Sequence, residues 1–431
     1  MLVAVVQNAL AQNLDLAASI ARVEQARAAA AGAGAALLPT VDFDASGTAQ
    51  HQSLVGPLGS IARTFPGYSR DQKEYNVGAA ASWEIDVAGG LRRNASAARE
   101  EFAAAEADGM GTRVTVAADA ADAYLQIRGY QSRLSVTMDQ INTDARLLAL
   151  VKVRRHLGDA DDREVAQADA LLKQARATIP PLRIALEAQL NRLDVLMGAQ
   201  PGTYALELDK PAAIPSIPSI ADSIQPLDVL RRRPDMIAAE RRLAASNERI
   251  GVALSDYYPK ISLSGALGFD SSGTHDLFTA RAFQPLGSGS LRWRLFDFGK
   301  VRSEVAQARG ANAEALANYQ LTALKATEDV ENAFMSLSQT VIRRQELEDE
   351  VTSLTRARDL SQNAYKAGSI TLTDVLDADR QLLIARDDLD ATSTDAARAA
   401  VSTFRALGGG WPVSNVKVAA SAKSAEAPGQ E

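Results

Sequence analysis

The 431-residue sequence contains no cysteine, which excludes disulfide bonds, thiolate catalysis and cysteine-built zinc sites. Histidine is nearly absent, and no second histidine stands at metal-ligand spacing from any of the three, His51, His156 and His275. No nucleophile–base pair, phosphate-binding loop or metal-ligand cluster is present in the sequence. We therefore expect no metal, no cofactor and no enzymatic activity.

The charge balance and the apolar runs exclude further classes of protein. The formal net charge is −7 without a basic stripe, so nucleic acid is not an expected partner. No apolar run approaches the roughly 18 residues that a membrane-spanning helix needs. The apolar stretch 1–6 is short and lacks the basic start and cleavage site of a signal peptide. We therefore expect either a cytosolic protein or a chain whose export segment lies outside this sequence.

The sequence repeats itself once. Residues that recur 210 positions later include the pairs Trp83/Trp293, Gly158/Gly368, Asp169/Asp379 and Gly198/Gly408, and Pro39 recurs 220 positions later as Pro259. A gapless register from 83 to 198 is typical of long helices, because one inserted residue rotates every later side chain by about 100°. Aromatic residues are only 5% of the chain and alanine is abundant, which favours closely packed helices. The pattern indicates one fold built by tandem duplication.

Each copy predicts a helix, two alternating strands and a long helical hairpin. In the first copy these segments are 14–38, 41–46, 75–85, the proline-free 89–158, and a return from 161 that Pro180 and Pro181 interrupt. In the second copy they are 234–257, 261–269, 291–298, 300–367 and 373–407. We divide the chain into a first repeat (1–200), a proline-rich connector (201–229), a second repeat (230–412) and a disordered tail (413–431).

Strands of about ten residues can cross a bilayer at a tilt. Four strands cannot close a barrel, and lipid does not tolerate open sheet edges. Two chains would give a plugged eight-stranded barrel, whereas three would give twelve strands and a lumen. The prediction is a mixed α/β membrane protein: a cyclic trimer with a twelve-stranded β-barrel that continues into a tube of twelve helical columns.

Several motifs are specific enough to point to a family. They are LRRRPDMIAAE at 230–240, YPKISL at 258–263, LFDFGKVR at 295–302 and ALGGGW at 406–411. These motifs resemble the TolC-like outer membrane factors, specifically their NodT-type efflux branch. The resemblance implies a trimeric channel-tunnel, with a β-barrel in the outer membrane bilayer and an α-helical coiled-coil barrel in the periplasm. The implied partners are a periplasmic adaptor (membrane fusion protein) and an inner-membrane pump of the RND type. That branch typically has a signal peptide and then a lipid-modified cysteine, and neither is in this sequence.

The resemblance also implies a gate. Asp374 and Asp377 match the aspartate pair that lines the family's periplasmic aperture, and residues at this spacing share a helical face. Six such carboxylates in a trimer would raise one another's pKa and attract cations. From the residues alone, the alternative is a solvated acidic face. Arg380 matches a basic residue near the aperture in some relatives, and a surface salt bridge is equally consistent with it.

A helix latch is implied by two further matches. Glu164 aligns with a family acid that tethers neighbouring helices to a tyrosine, matched here by Tyr365. The arginine of that network is replaced by Ile370. If the network holds the aperture shut, replacing the tyrosine by phenylalanine is expected to raise the resting conductance.

The helical tips and three aromatic residues complete the candidate sites. Gly158 and Gly368 stand at the hairpin turns, where a helix C-cap needs glycine and where relatives meet the adaptor. Trp83, Trp293 and Tyr75 suit either an aromatic belt at the membrane interface or packing at strand–helix junctions.

The expected function is a passive exit duct for drugs or other small molecules in a tripartite efflux pump. A type I secretion channel is the alternative within the same architecture. A soluble coiled-coil scaffold would explain the long helices and the acidity, but it leaves the alternating strands unexplained.

Overall fold

The structure is a computed structural model that describes residues 1–208, 210–215 and 231–409. Its helices are α1 (Leu2–Gln12), α2 (Leu14–Ala35), α3 (Pro57–Ala62), α4 (Gly90–Leu157), α5 (Asp162–Ala177), α6 (Ile179–Leu196), α7 (Ala205–Leu208), α8 (Pro234–Ser255), α9 (Lys300–Lys366) and α10 (Leu372–Ala406). Its strands are β1 (Thr40–His51), β2 (Asp71–Ile85), β3 (Lys260–Ser271) and β4 (Phe283–Arg292). The predicted tail, Trp411 and most of the predicted connector lie outside the described residues.

The two proline-free segments form the longest helices, α4 with 68 residues and α9 with 67. The predicted interruption by two prolines is present, because α5 ends at Ala177 and both Pro180 and Pro181 lie in the first turn of α6. Proline is tolerated there because the first helical N–H groups have no intrahelical acceptor. The segment before Asn13, whose short apolar start is its only sequence signal, is also helical, and Val5 and Ala9 are buried in a core.

The predicted fourth strand at 291–298 is wrong. The strand β4 runs instead from Phe283 to Arg292, through a Pro-Leu-Gly-Ser-Gly-Ser run that reads as a loop. Pairing with β3, from Phe269↔Phe283 to Lys260↔Arg292, supplies the hydrogen bonds that override this composition. Within the single chain, Pro285 is compatible with the strand because β4 lies at the edge of the four-stranded sheet.

The four strands form one antiparallel sheet in the order β1-β2-β3-β4. Paired residues lie on the same face of a sheet, so the pairing register assigns every side chain to one of the two faces. One face carries mainly apolar residues: Val41, Phe43, Val77, Trp83, Ile85, Ile261, Leu263, Leu267, Phe269, Phe283 and Leu291. The other carries mainly polar ones: Asp42, Asp44, Asn76, Glu84, Ser262, Ser264, Asp270, Gln284, Ser288 and Ser290. The sheet is therefore amphipathic over all four strands.

Contacts divide the chain into two compact units. The first comprises the described residues within 1–22, 106–238 and 320–409, and contains two hydrophobic clusters, one around Ile127 and Leu193 and one around Val151 and Val375. The second comprises Val23–Ala105 and Ala239–Tyr319 and contains the sheet. Within the described residues, none of the helices combines the length and apolar character needed to cross a membrane.

Candidate functional site

Both long helices end in the same C-cap. Gly158 N–H donates to the Arg155 carbonyl at 3.0 Å, and Asp159 N–H reaches back to the Arg154 carbonyl at 2.8 Å. The second hairpin repeats this pattern at 2.9 Å in both bonds, Gly368 to Tyr365 and Ser369 to Ala364. The two glycines have φ of 86° and 74°, a conformation that side chains with a Cβ rarely adopt. Both are exposed, and each turn therefore forms an accessible tip.

The return helices begin with acidic caps. The Asp161 carboxylate accepts from Glu164 N–H at 2.9 Å at the start of α5. At the start of α10, the Asp374 carboxylate accepts from the Thr371 N–H at 3.0 Å and from its hydroxyl at 2.7 Å. These bonds lower the pKa of Asp374. Six carboxylates of a trimer are expected to raise one another's pKa by mutual repulsion, which requires three chains. In the single chain, the pKa of Asp374 is lowered instead.

The three candidate aperture residues lie on the exposed surface of α10. Asp374, Asp377 and Arg380 are exposed, whereas Leu372 and Val375 of the same turns are buried. Asp377 accepts a bond from the Gln381 amide at 2.7 Å. The structure thus leaves Asp374, Asp377 and Arg380 accessible on the helix that follows the second tip.

The predicted latch residues Glu164 and Tyr365 both lie in the first unit, and Tyr365 packs against an arginine that the sequence did not indicate. Tyr365 is buried, and the guanidinium carbon of Arg154 lies 4.4 Å from its ring centre. Burial raises the pKa of the Tyr365 phenol, the Glu164 charge acts in the same direction and Arg154 opposes both. Within the described residues, the Tyr365 hydroxyl and Glu164 Oε2 have no partner at hydrogen-bond geometry. Arg154 stands in the last turn of α4, where basic residues interact favourably with the helix dipole. This position is the only sequence feature that could have pointed to Arg154 as a site residue.

The Arg-Arg-Pro-Asp block has a structural role that the sequence did not reveal. The Arg233 guanidinium is almost fully buried at the start of α8 and donates to Asp235 at 2.8 Å and Asp329 at 2.9 Å. It also donates to the carbonyl of Ala406, at the end of α10, at 2.8 Å. One side chain therefore joins three helices of the first unit.

The predicted aromatic residues hold strand–helix junctions. The Trp83 indole N–H donates to the Leu37 carbonyl at 2.9 Å, and that of Trp293 donates to the Tyr257 carbonyl at 3.1 Å. Each acceptor stands two residues before the proline that precedes a strand. Tyr75 lies opposite Gly47 in the sheet and covers it, since a Cβ there would lie 3.4 Å from the ring. These contacts favour a junction role and leave the tryptophan rings partly exposed.

Comparison with known proteins gives consistent similarities over nearly the whole chain. A family model described as outer membrane efflux protein matches residues 5–199 and 226–409. The pyoverdine export outer membrane protein OpmQ of Pseudomonas putida is 32% identical over 401 residues, covering 92% of this chain and 83% of the relative. Nodulation protein T of Rhizobium leguminosarum bv. viciae is 28% identical over 414 residues, covering 95% and 82%.

Solved structures show the same fold. The outer-membrane channel OprN aligns with a TM-score of 0.87 and 31% identity, covering 95% of this chain and 90% of that one. VceC of Vibrio cholerae aligns with a TM-score of 0.84 and 23% identity, covering 95% and 96%.

Proposed function

We propose that this protein, which belongs to the outer membrane efflux protein family and is an outer membrane efflux channel of the TolC-like fold, works as a homotrimer in which three sheets close one barrel. The amphipathic sheet is the observation that carries the proposal. Its apolar face suits lipid and its polar face suits a water-filled lumen. The soluble-scaffold alternative is wrong, since the chain belongs to a family of outer membrane channels.

The trimer follows from the two free edges of the sheet. Strands β1 and β4 each pair on one side only within the described chain. Unpaired backbone groups are costly in lipid, so β4 of one copy pairs with β1 of the next until the sheet closes. The strands have 12, 15, 12 and 10 residues, long enough to cross a bilayer at a tilt. Three copies give the twelve strands that leave a lumen.

The helical hairpins extend into the periplasm in this proposal and form its tube. The exposed Asp374 and Asp377 line the aperture with Arg380 nearby, and the tips at Gly158 and Gly368 dock the periplasmic adaptor. The adaptor connects the channel to an inner-membrane pump of the RND type. The division into two repeats, a connector and a tail belongs to the same proposal.

Small-molecule efflux is favoured over type I secretion by what the relatives are called. Their names include pyoverdine export, solvent efflux and toluene efflux outer membrane proteins. The proposed cargo is accordingly a drug or another small molecule, chosen by the pump before it enters the duct.

Ion conductance of the detergent-purified protein in a planar bilayer tests the proposal. The unmodified chain is expected to give small cation-selective steps, and the double variant Asp374→Ala/Asp377→Ala to give steps that have lost cation selectivity. Asp388→Ala, an exposed acid on the same helix, serves as the matched control and is expected to keep the selectivity. If the unmodified chain and the variants are all folded and none of them conducts, the proposal of a gated channel is wrong.

Adaptor docking is tested separately by cross-linking. Since the chain has no cysteine, Asp159→Cys or Ser369→Cys places a single thiol at one tip. Cross-linking to the adaptor from these positions, and none from Ser288→Cys on the polar face of the sheet, is the expected result.

A further inference from the structure

The two sheet hairpins of the second unit, β1–β2 and β3–β4, are equivalent by the internal repeat, and this equivalence includes their register. Strand β3 begins and ends 220 positions after β1, and helix α8 begins and ends 220 positions after α2. The pair Thr40↔Ser82 becomes Lys260↔Arg292 when the first residue number increases by 220 and the second by 210. The repeat of the sequence is therefore also a repeat of the strand pairing.

Between these hairpins, β2 pairs with β3, from Tyr75↔Ser271 to Ile85↔Ile261. This junction occurs once in the described chain, since β4 has no strand on its other side. By the repeat, the strand that would continue the sheet beyond β4 is equivalent to β3, and β1 is that strand. Inside one chain, β1 lies three strand spacings from β4, or about 14 Å. Strand β1 of another copy of the chain is therefore the matching partner for this edge.

The β2–β3 register, transferred by the same offsets, aligns β4 with β1 of the next copy. The pair Trp83↔Leu263, for example, becomes Trp293 opposite Phe43. With the first residue from one copy and the second from the next, the pairs are Leu291–Ala45, Arg292–Asp44, Trp293–Phe43, Arg294–Asp42 and Leu295–Val41.

We infer that the copies meet in this register, in which two arginines at the end of β4 form ion pairs with two aspartates at the start of β1 of the next copy. The inference rests on the proposed trimer and adds to it the residues that meet between the copies.

The register keeps both faces of the sheet continuous from one copy to the next. Trp293 is equivalent to Trp83 on the apolar face, and Phe43 lies on that face as well. The two arginines and the two aspartates belong to the polar face. A register shifted by one residue would place each arginine opposite valine, phenylalanine or alanine. A shift by two residues would leave one arginine opposite serine or threonine.

In the single chain, the two arginines lack a close acid across the sheet. Arg292 lies opposite Lys260 of β3, and like charges at opposite positions are destabilising. Lys260 pairs with Asp256 at 2.8 Å, whereas no described acid forms an ion pair with Arg292. Arg294 reaches Glu304 at 3.8 Å, the long end of the ion-pair range. An acid from the next copy would offset the repulsion between Arg292 and Lys260.

The two aspartates likewise have no cation across the sheet. Asp42 lies opposite Ala80 and Asp44 opposite Gly78. Both are exposed, and neither forms an ion pair with a described residue. One edge of the sheet therefore carries the cations and the other edge the anions. The contact is head-to-tail, with two different surfaces, and such contacts can close a ring.

The helices beside the sheet are compatible with the same arrangement. Within the second unit, α8 contacts the start of α4 through Arg93–Glu248 at 3.1 Å and Arg249–Glu101 at 2.9 Å. The equivalent helices between copies are α9 and α2 of the next copy. The residues at the equivalent positions are small and exposed in the single chain: Ser303, Ala311, Ala28 and Ala29. The arrangement therefore leaves no charge unpaired at these positions.

Disulfide cross-linking tests the register, because the chain contains no cysteine. Asp44→Cys/Arg292→Cys places two thiols at directly opposite positions, where Cβ atoms are about 4.5–5.5 Å apart, close to the range that a disulfide needs. Oxidation of the purified full chain in detergent should convert most of it into covalent trimers on a non-reducing gel. The control Asp42→Cys/Arg292→Cys is offset by two residues, about 7–8 Å, and should remain mostly monomeric on that gel.

Covalent trimers from the opposite pair alone would support the register. Equal or stronger cross-linking of the offset pair would overturn it. A chain that is trimeric in size-exclusion chromatography but cross-links at neither pair would overturn the register and leave the proposed trimer standing. A chain that is monomeric in detergent and cross-links at neither pair would overturn the proposed trimer as well.

Exchanging the charges tests the ion pair itself. Asp44→Arg alone, or Arg292→Asp alone, places like charges opposite each other and should lower the temperature at which the trimer dissociates in detergent. The double exchange Asp44→Arg/Arg292→Asp restores opposite charges and should regain most of that loss. Glu74→Arg, an exposed acid on the inner strand β2, is the control and should leave the dissociation temperature unchanged. A double exchange no more stable than either single variant would overturn the ion pair.

Discussion

The guanidinium of Arg154 stacks on the ring of Tyr365 at 4.4 Å, and its Nη1 donates to the Tyr365 carbonyl at 3.4 Å. The ring and the backbone of the tyrosine thus join α4 to α9 next to the tips. The family resemblance implied a latch between Glu164 and Tyr365 whose arginine partner is replaced by Ile370. We propose that Arg154, from the other hairpin, takes the place of that arginine.

Arg154→Ala is accordingly expected to raise the resting conductance in the planar bilayer more than Tyr365→Phe does. Cation–π contacts contribute about 0.5–2 kcal/mol, and the phenylalanine ring keeps most of that energy. Arg155→Ala is the control, because Arg155 is exposed and pairs with Asp162 within its own hairpin. If Tyr365→Phe raises the conductance as much as Arg154→Ala does, the Tyr365 hydroxyl is needed to hold the aperture shut and this prediction is wrong.

Alanine at either tip glycine is expected to loosen the turn without a steric clash. A Cβ at Gly158 or Gly368 meets no atom within 4 Å, so the cost is the positive φ alone, about 1 kcal/mol. Faster hydrogen exchange confined to the tip peptides is the expected readout. Gly310→Ala, in open space within α9, should leave the tips unchanged and stabilise its helix slightly. Equal exchange in the Gly158 variant and the unmodified chain would show that the turn tolerates a side chain.

The sequence predicted what local periodicity and internal repetition determine. The gapless spacing from Trp83 to Gly198 and from Trp293 to Gly408 indicated the long helices, and alternation indicated β1, β2 and β3. The strand β4 was misplaced because its Gly-Ser-Pro composition is overridden by pairing with β3, which is a tertiary effect.

For the candidate site, the local features were predictable and the contacts between helices were not. The glycine turns and the acidic start of α10 follow from helix-capping preferences. The meeting of Arg154 with Tyr365 depends on the register between two helices that are far apart in sequence.

The junction of the two repeats within the sheet predicts a sensitive position. Gly78 of β2 pairs with Gly268 of β3, and a Cβ at Gly78 would lie 2.8 Å from the Gly268 Cα and 2.8 Å from the Leu267 carbonyl oxygen. Gly78→Val should therefore prevent β2–β3 pairing and abolish the folded trimer, as measured by size-exclusion chromatography in detergent. Gly287→Val is the control, because a Cβ there meets nothing within 4 Å. A stable trimer from Gly78→Val would mean that the two strands can separate enough to admit a side chain.

Replacement of Arg233 tests whether the Arg-Arg-Pro-Asp block acts through structure. Arg233→Met removes the donor shared by Asp235, Asp329 and the Ala406 carbonyl. The free energy of unfolding should fall by about 2–3 kcal/mol, less than for a fully buried ion pair because both carboxylates reach solvent. Arg232→Met changes the exposed neighbour and should leave the Tm within a degree or so of the unmodified chain. If the two variants unfold at the same temperature, the three bonds to Arg233 contribute nothing net, and the block has to be explained by something other than the joining of α8, α9 and α10.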